Sequence, residues 1–173
     1  MNQTYDFQDG YGAIPAHRHP NGGGWIADSA AIDNTTFVHE TACVGPRCRL
    51  GQDCRIGDGT QLGFHCQIDQ DGLIGPHCRI GQDCRIGPYA GILSTRECLR
   101  LAPVGSRDDS LTIYRVQSGG IHIRHGSGCL HASLDAFAAA VERTHGANVY
   151  GDEYRAVIAL ARVRFADVIK GEK

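Results

Sequence analysis

Histidine and arginine are the side chains best equipped for chemistry at neutral pH in this 173-residue chain. Imidazole titrates near neutrality and can take or return a proton, so His65 and His77 are candidate general bases. Each stands three residues after an aliphatic, Leu62 and Ile74. The guanidinium group presents a planar fork of donors that grips phosphates and carboxylates. Fifteen of the 17 basic residues are Arg, and Arg79 and Arg85 are candidates to meet phosphates. A second polar group gathers around Gly105-Ser106-Arg107. Ser106 and Arg107 suit a small anion, with Arg115, His122, Arg124 and His125 nearby in sequence. Each of these residues has a plainer alternative as an exposed turn or solvated-face residue. His17 and His19 are either ligands or acid/base groups, or residues that order a loop.

Several classes of function are excluded. The chain has no phosphate-binding loop, no dinucleotide fingerprint and no metal motif. Net charge is −2 and no basic stripe carries interleaved aromatics, so a nucleic acid polymer is not an expected partner. No stretch is long and apolar enough to span a membrane. No basic start leads into an apolar run, so a cytoplasmic protein with reduced thiols is expected. Eight cysteines are present without a CxxC pair.

The elements that must position these groups show in a strict period of six. Ile26, Ile32, Val38, Val44, Leu50, Ile56, Leu62, Ile68, Ile74, Ile80, Ile86 and Ile92 are evenly spaced. Two residues before each lies a small side chain, among them Thr36, Cys48, Cys54, Thr60, Cys66, Cys78 and Cys84. Gly often follows each aliphatic, as at Gly45, Gly51 and Gly57, where it is expected to permit positive φ. Period six fits a short strand plus a turn, with both slots facing inward. One such unit cannot bury its own apolar side, so units must stack.

The pattern [LIV]-G-x-x-[small]-x over residues 24–95 resembles the hexapeptide-repeat, left-handed parallel β-helix superfamily. The resemblance implies three hexapeptides per coil and therefore about four coils. Residues eighteen apart then stack, as in Ile26, Val44, Leu62, Ile80. Outward columns read Ala31, Arg49, Gln67, Arg85; Trp25, Cys43, Gln61, Arg79; and Phe37, Arg55, Leu73, Gly91. Cysteines of the small slot are expected in the core. Cys43, Cys98 and Cys129 fall outside it and are expected to be more exposed.

The expected fold class is an all-β solenoid, a left-handed parallel β-helix of about four coils, followed by a β-hairpin and two C-terminal α-helices. Residues 1–23 read as an irregular capping segment, 24–105 as the β-helix, 106–132 as a connection and hairpin, and 133–173 as a helical tail. The layout is similar to a subset of these proteins from bacteria and phages. It is carried by His17-Arg18-His19-Pro20, Gly22-Gly23-Gly24-Trp25 and Pro103-Val104-Gly105-Ser106-Arg107.

The superfamily resemblance implies acyl transfer, usually of acetyl from acetyl-CoA, by a homotrimer with an anionic-ligand site between subunits. His65 and His77 would supply the base. No loop interrupts the coil to arch over a site, which departs from many members. Some β-helix trimers are carbonic anhydrases, but the residues five after His39, His65 and His77 are Val44, Gln70 and Gln82, so the metal-binding pair is missing. The alternative is non-catalytic binding of a small anionic molecule or nucleotide, as in a phage-encoded sequestering protein, or a structural trimer.

Overall fold

The computed structural model describes residues 3–126 and 130–170. Two short strands come first, β1 (Thr4–Asp6) and β2 (Ala13–Arg18). Each six-residue unit then contributes one strand: β3 (Trp25–Ala27), β4 (Ala31–Ile32), β5 (Phe37–Val38), β6 (Cys43–Val44), β7 (Arg49–Leu50), β8 (Arg55–Ile56), β9 (Gln61–Leu62), β10 (Gln67–Ile68), β11 (Leu73–Ile74), β12 (Arg79–Ile80), β13 (Arg85–Ile86) and β14 (Gly91–Ile92). They form a parallel β-solenoid of about four turns. Its three sheets run β3-β6-β9-β12, β4-β7-β10-β13 and β5-β8-β11-β14.

Every pairing joins residues eighteen apart. Ile26 lies beside Val44, Val44 beside Leu62, and Leu62 beside Ile80. The outward residues stack likewise, Arg49 between Ala31 and Gln67, and Gln67 beside Arg85. Of the twelve period-six aliphatics, all but Ile32 are buried. Ile32 is half-buried because β4 is the edge of its sheet.

The small slot does more than leave room. Thr36 and Thr60 donate from Oγ1 to the carbonyls of Gly51 and Gly75, at 2.7 Å each. Cys48, Cys54 and Cys66 point Sγ at the carbonyls of Gly63, Asp69 and Gly81 at 2.9–3.1 Å. Each acceptor is fifteen residues on, in the neighbouring turn, so a small residue that carries a donor gains a bond there, while Ala42, Gly72 and Ala90 fill the slot by size alone. Hydrogen bonding with the stacked thiols of Cys48 and Cys84, and then burial, push the Cys66 thiol well up. These six-period cysteines are free thiols. Cys43, expected to be exposed, is buried, because Tyr5 of β1 stacks at 4.8 Å on Trp25, its ladder neighbour. Burial raises its thiol to about 11. Cys98 is half-buried, and Cys129 lies outside the described residues.

The glycine after each aliphatic has a different role from the one expected. From Val44 to Ile86 the left-handed residue of each unit is three after the aliphatic: Arg47, Asp53, Gly59, His65, Asp71, His77, Asp83 and Tyr89, with φ between 55° and 59°. The glycines at Gly45, Gly51, Gly57 and Gly63 instead allow close approach of the next turn. A Cβ at Gly57 would lie 2.8 Å from the backbone of Gly75 and Pro76.

The expected irregular cap, residues 1–23, is more ordered than that over its described part, 3–23. β1 pairs antiparallel with β2, and β2 pairs antiparallel with β3. Arg18 lies 4.2 Å over the Trp25 ring and donates to the carbonyls of Gly23 and Glu40. His17 Nδ1 is 2.7 Å from Asp28, and His19 is buried, so both order the chain leading into the first turn.

The chain divides into two units, Met1–Thr95 and Arg96–Lys173. The second unit has a four-stranded antiparallel sheet, β15 (Cys98–Val104), β16 (Asp109–Arg115), β17 (Ile121–His125) and β18 (Leu130–Ser133), paired in that order. The expected hairpin is its centre, β16 and β17. Cys98 and Val104 keep the period-six phase, which disguised β15, and β18 is only four residues long and runs straight into a helix cap.

Helix α1 (Leu134–His145) begins at Ser133, whose hydroxyl accepts from Ala136 N. Helix α2 (Val149–Arg164) begins at Asn148, earlier than Asp152 and Glu153 suggested. A break at Phe165 separates a third helix, α3 (Ala166–Lys170), from what reads in sequence as one helix. The helices cover one sheet face, where Leu111, Ile113, Ile121 and Ile123 meet Phe137, Val141, Val157 and Phe165.

Glycine spacing yields a direct test. Gly57→Ala forces backbone apart between turns and should cost about 1–3 kcal/mol in overpacking. Gly81→Ala meets nothing within 4 Å and should be nearly neutral. Equal melting temperatures for the two variants would refute this role for the glycines.

Candidate functional site

Stacking at intervals of eighteen turns each solenoid corner into a ladder of side chains. The corner that carries His65 also carries Ser29, Arg47 and Asp83. His65 Nδ1 is 3.4 Å from Asp83 Oδ1, and His65 Nε2 is 3.4 Å from an Arg47 guanidinium nitrogen. Arg47 N in turn donates to Ser29 Oγ at 3.2 Å. A guanidinium only donates, so its approach favours the tautomer with an unprotonated Nε2. Nδ1 then carries the proton, toward Asp83. That tautomer is the one a general base requires.

The left-handed backbone explains why such residues gather at corners. Outside Gly, that conformation is best tolerated by Asn, Asp and His. Ring and carboxylate are therefore placed at the edge, each about two-fifths exposed, at 40% and 38%.

Beside this ladder is a depression of about 500 Å³. Arg47, Arg49 and Arg85 line it with His65, Ser29 and Gln67. Three guanidinium groups around one hollow make it an anion-accepting surface. A second depression, of about 570 Å³, lies on the other side of the Arg49 and Gln67 row. Gln52, Gln70, Asp69 and Pro88 line it, which adds amide donors and acceptors.

Of the candidates named from sequence in the first unit, His65 and Arg85 come together here. His77 and Arg79 do not line either depression. His77 Nε2 faces Asp58 at 3.8 Å, and His39 Nδ1 approaches the same carboxylate at 3.4 Å. Asp58 also accepts a short hydrogen bond from Thr41 Oγ1, and this bond chiefly holds its carboxyl below the usual range. His39 and His77, two turns apart, are thus bridged by a carboxylate. Arg79 is exposed, with its backbone N bonded to Thr95 Oγ1 at 2.9 Å. Arg47, Asp83 and Ser29 were missed. Counting eighteen back and forward from His65 finds Arg47 and Asp83, and a second step back finds Ser29.

The second unit holds the remaining candidates. Ser106 and Arg107 are in an exposed turn closed by Asp108 N donating to Gly105 O at 3.0 Å. Helix α2 holds that turn from the other side, since Gly105 N donates to Glu153 at 2.9 Å. The hairpin candidates separate by the period of two. Arg115 shares its face with Ile113 and lies 3.4 Å from Glu97. His122 and Arg124 occupy the opposite face, across from Tyr114 and Thr112. There His122 Nδ1 lies 3.1 Å from His131 Nε2, and the His131 ring stacks on Tyr114.

His125 Nε2 lies 3.2 Å from the Tyr154 hydroxyl, a pairing that sequence spacing does not reveal. Burial lowers His125, with Asp109 opposing and Arg107 and His145 assisting. Burial also raises the Tyr154 phenol. His122 is lowered by burial and then by His131.

Among the described residues no group of three or more His, Cys, Asp or Glu could hold a metal ion. Among them, too, no helix is long and apolar enough to cross a membrane. Comparison with family models, with curated proteins and with solved structures finds no match to any of the three.

The histidine shifts set a pH dependence. Folded values for His122 and His125 lie below the ordinary 6.5, so the unfolded chain binds more protons on the acid side. Stability of the second unit is therefore full above about pH 6.5 and falls as pH drops from there toward the folded values. Thermal melts at descending pH should show this loss, and His122→Gln with His125→Gln should flatten it. An unchanged slope in the double variant would contradict the assignment.

Proposed function

We propose that the chain is an acyl transferase-like hexapeptide-repeat protein that acts as a homotrimer on a phosphate-bearing acyl donor. The observation that supports this reading best is the Arg47–His65–Asp83 ladder beside a hollow lined by three arginines. The donor set fits acetyl-CoA, because guanidinium groups grip phosphates bidentately. Acetyl-CoA, when bound, supplies the acyl group as a thioester.

His65 Nε2 takes the proton from an acceptor amine or hydroxyl. Asp83 holds Nδ1–H and balances the imidazolium that results, as a positioning residue. The proton is then available to the departing thiolate. Arg47 draws off Nε2 toward the ligand's negative charge as it binds, and Arg49 and Arg85 hold that charge. General base catalysis of this kind contributes about 10²–10⁴-fold.

A second reading is favoured by one contact. Arg47 stands 3.4 Å from Nε2, the atom a base must present. If it stays there, the hollow binds a small anion or nucleotide without turnover, and the sequestering role is the better description.

The two readings separate experimentally. On the first, acetyl-CoA raises the melting temperature, Arg49→Ala with Arg85→Ala removes the shift, and His65→Ala keeps the shift but lowers thiol release from acetyl-CoA with an amine panel by about 10²-fold or more. Asp83→Asn should lower turnover without abolishing binding. Undiminished turnover in His65→Ala refutes the base. If acetyl-CoA gives no shift while native mass spectrometry finds a co-purified anion that Arg49→Ala with Arg85→Ala loses, the binding reading replaces the enzyme.

A further inference from the structure

Helix α2 is apolar on two opposite sides. One side, with Tyr154, Val157, Ile158 and Ala161, is buried in the core of the second unit. On the other, Val149 and Val163 are 71% and 76% exposed, and Leu160 is 45% exposed. Val149, Ala156 and Val163 recur at intervals of seven, with Leu160 beside them, and so form one stripe along the helix. A helix face that stays in water normally carries polar residues there.

Charge on the same helix is unevenly divided along its length, with Arg155 the one basic residue of the first half. Asp152 and Glu153 lie in its first half, and Arg162 and Arg164 in its last turn. Glu153 accepts from Gly105 N and Arg164 donates to the Arg96 carbonyl, whereas the partners of Asp152 and Arg162 are exchangeable. Arg162 lies 3.5 Å from Asp135, and both side chains are mostly exposed. Asp152 bonds Arg155 from a side chain that is 74% exposed.

This stripe is self-complementary about Ala156. Laid antiparallel on a second copy, Val149 falls opposite the partner's Val163, and Ala156 opposite the partner's Ala156, whose small side chain lets the axes approach. The acidic half of each helix then faces the basic half of the other. A parallel pairing would set like charges against each other. An isologous contact of this form has two-fold symmetry.

We propose that the outer face of α2 is a self-association surface that pairs two copies of this chain antiparallel through Val149, Ala156, Leu160 and Val163. It is independent of the function proposed for the solenoid.

Light-scattering mass of the full chain tests it. The unmodified protein should have twice the mass of Val163→Glu at matched concentration, with unchanged helical circular dichroism. Leu160→Gln serves as a second variant if Val163→Glu unfolds. Arg162→Glu alone should weaken the pairing, and adding Asp152→Arg in the same chain should restore it. Equal masses for the unmodified protein and both stripe variants would overturn the proposal. So would a stripe variant that halves the mass while the charge exchange restores nothing, since that result points to a different partner surface.

Discussion

The parallel backbone ladder between successive turns is the constraint on which the first unit depends. Adjacent strands in such a ladder stand about 4.8 Å apart. At that spacing each residue is fixed above the one eighteen positions away, and every slot of the hexapeptide inherits its neighbours. Aliphatics must meet aliphatics inside. A residue with a Cβ cannot follow the aliphatic where the next backbone passes within 3 Å, as at Gly45, Gly57 and Gly63. The inner small slot can send a donor to a carbonyl one turn on, as the hydroxyls of Thr36 and Thr60 and the thiols of Cys48, Cys54 and Cys66 do.

The same ladder governs polar residues at the surface. A charge at one corner is held near the charges at the same corner of adjacent turns, whatever its own preference. Arg47, His65 and Asp83 are brought together by this means, and so are His39, Asp58 and His77. In water, isolated pairs of this kind contribute little to stability. At His65 the carboxylate of Asp83 lies beside Nδ1 and the guanidinium of Arg47 beside Nε2, which favours the tautomer protonated at Nδ1.

The solenoid was legible in the sequence because its period is short and exact stacking follows from it. Ile26 to Ile92 fixed both the columns and their registers. The candidate site was half legible. His65 and Arg85 were named, but Arg47 and Asp83 were not, because the columns were drawn through strand positions and not through corners. The second unit was less legible for a physical reason. Its sheet is antiparallel with irregular loop lengths, so no repeat announces β15 or β18, and the contact between His125 and Tyr154 joins residues 29 positions apart through tertiary packing.

From residue 47 to residue 89 the corner residue of every unit holds one left-handed conformation, yet its occupants are Arg, Asp, Gly, His, Asp, His, Asp and Tyr. The backbone there demands a conformation and is indifferent to what the side chain does next. The side chains at these corners lie outside the apolar interior, so exchanging one for another residue that tolerates the left-handed backbone leaves the packing between turns in place. A solenoid corner is therefore a position where a lineage can rewrite what its protein binds while leaving its architecture untouched.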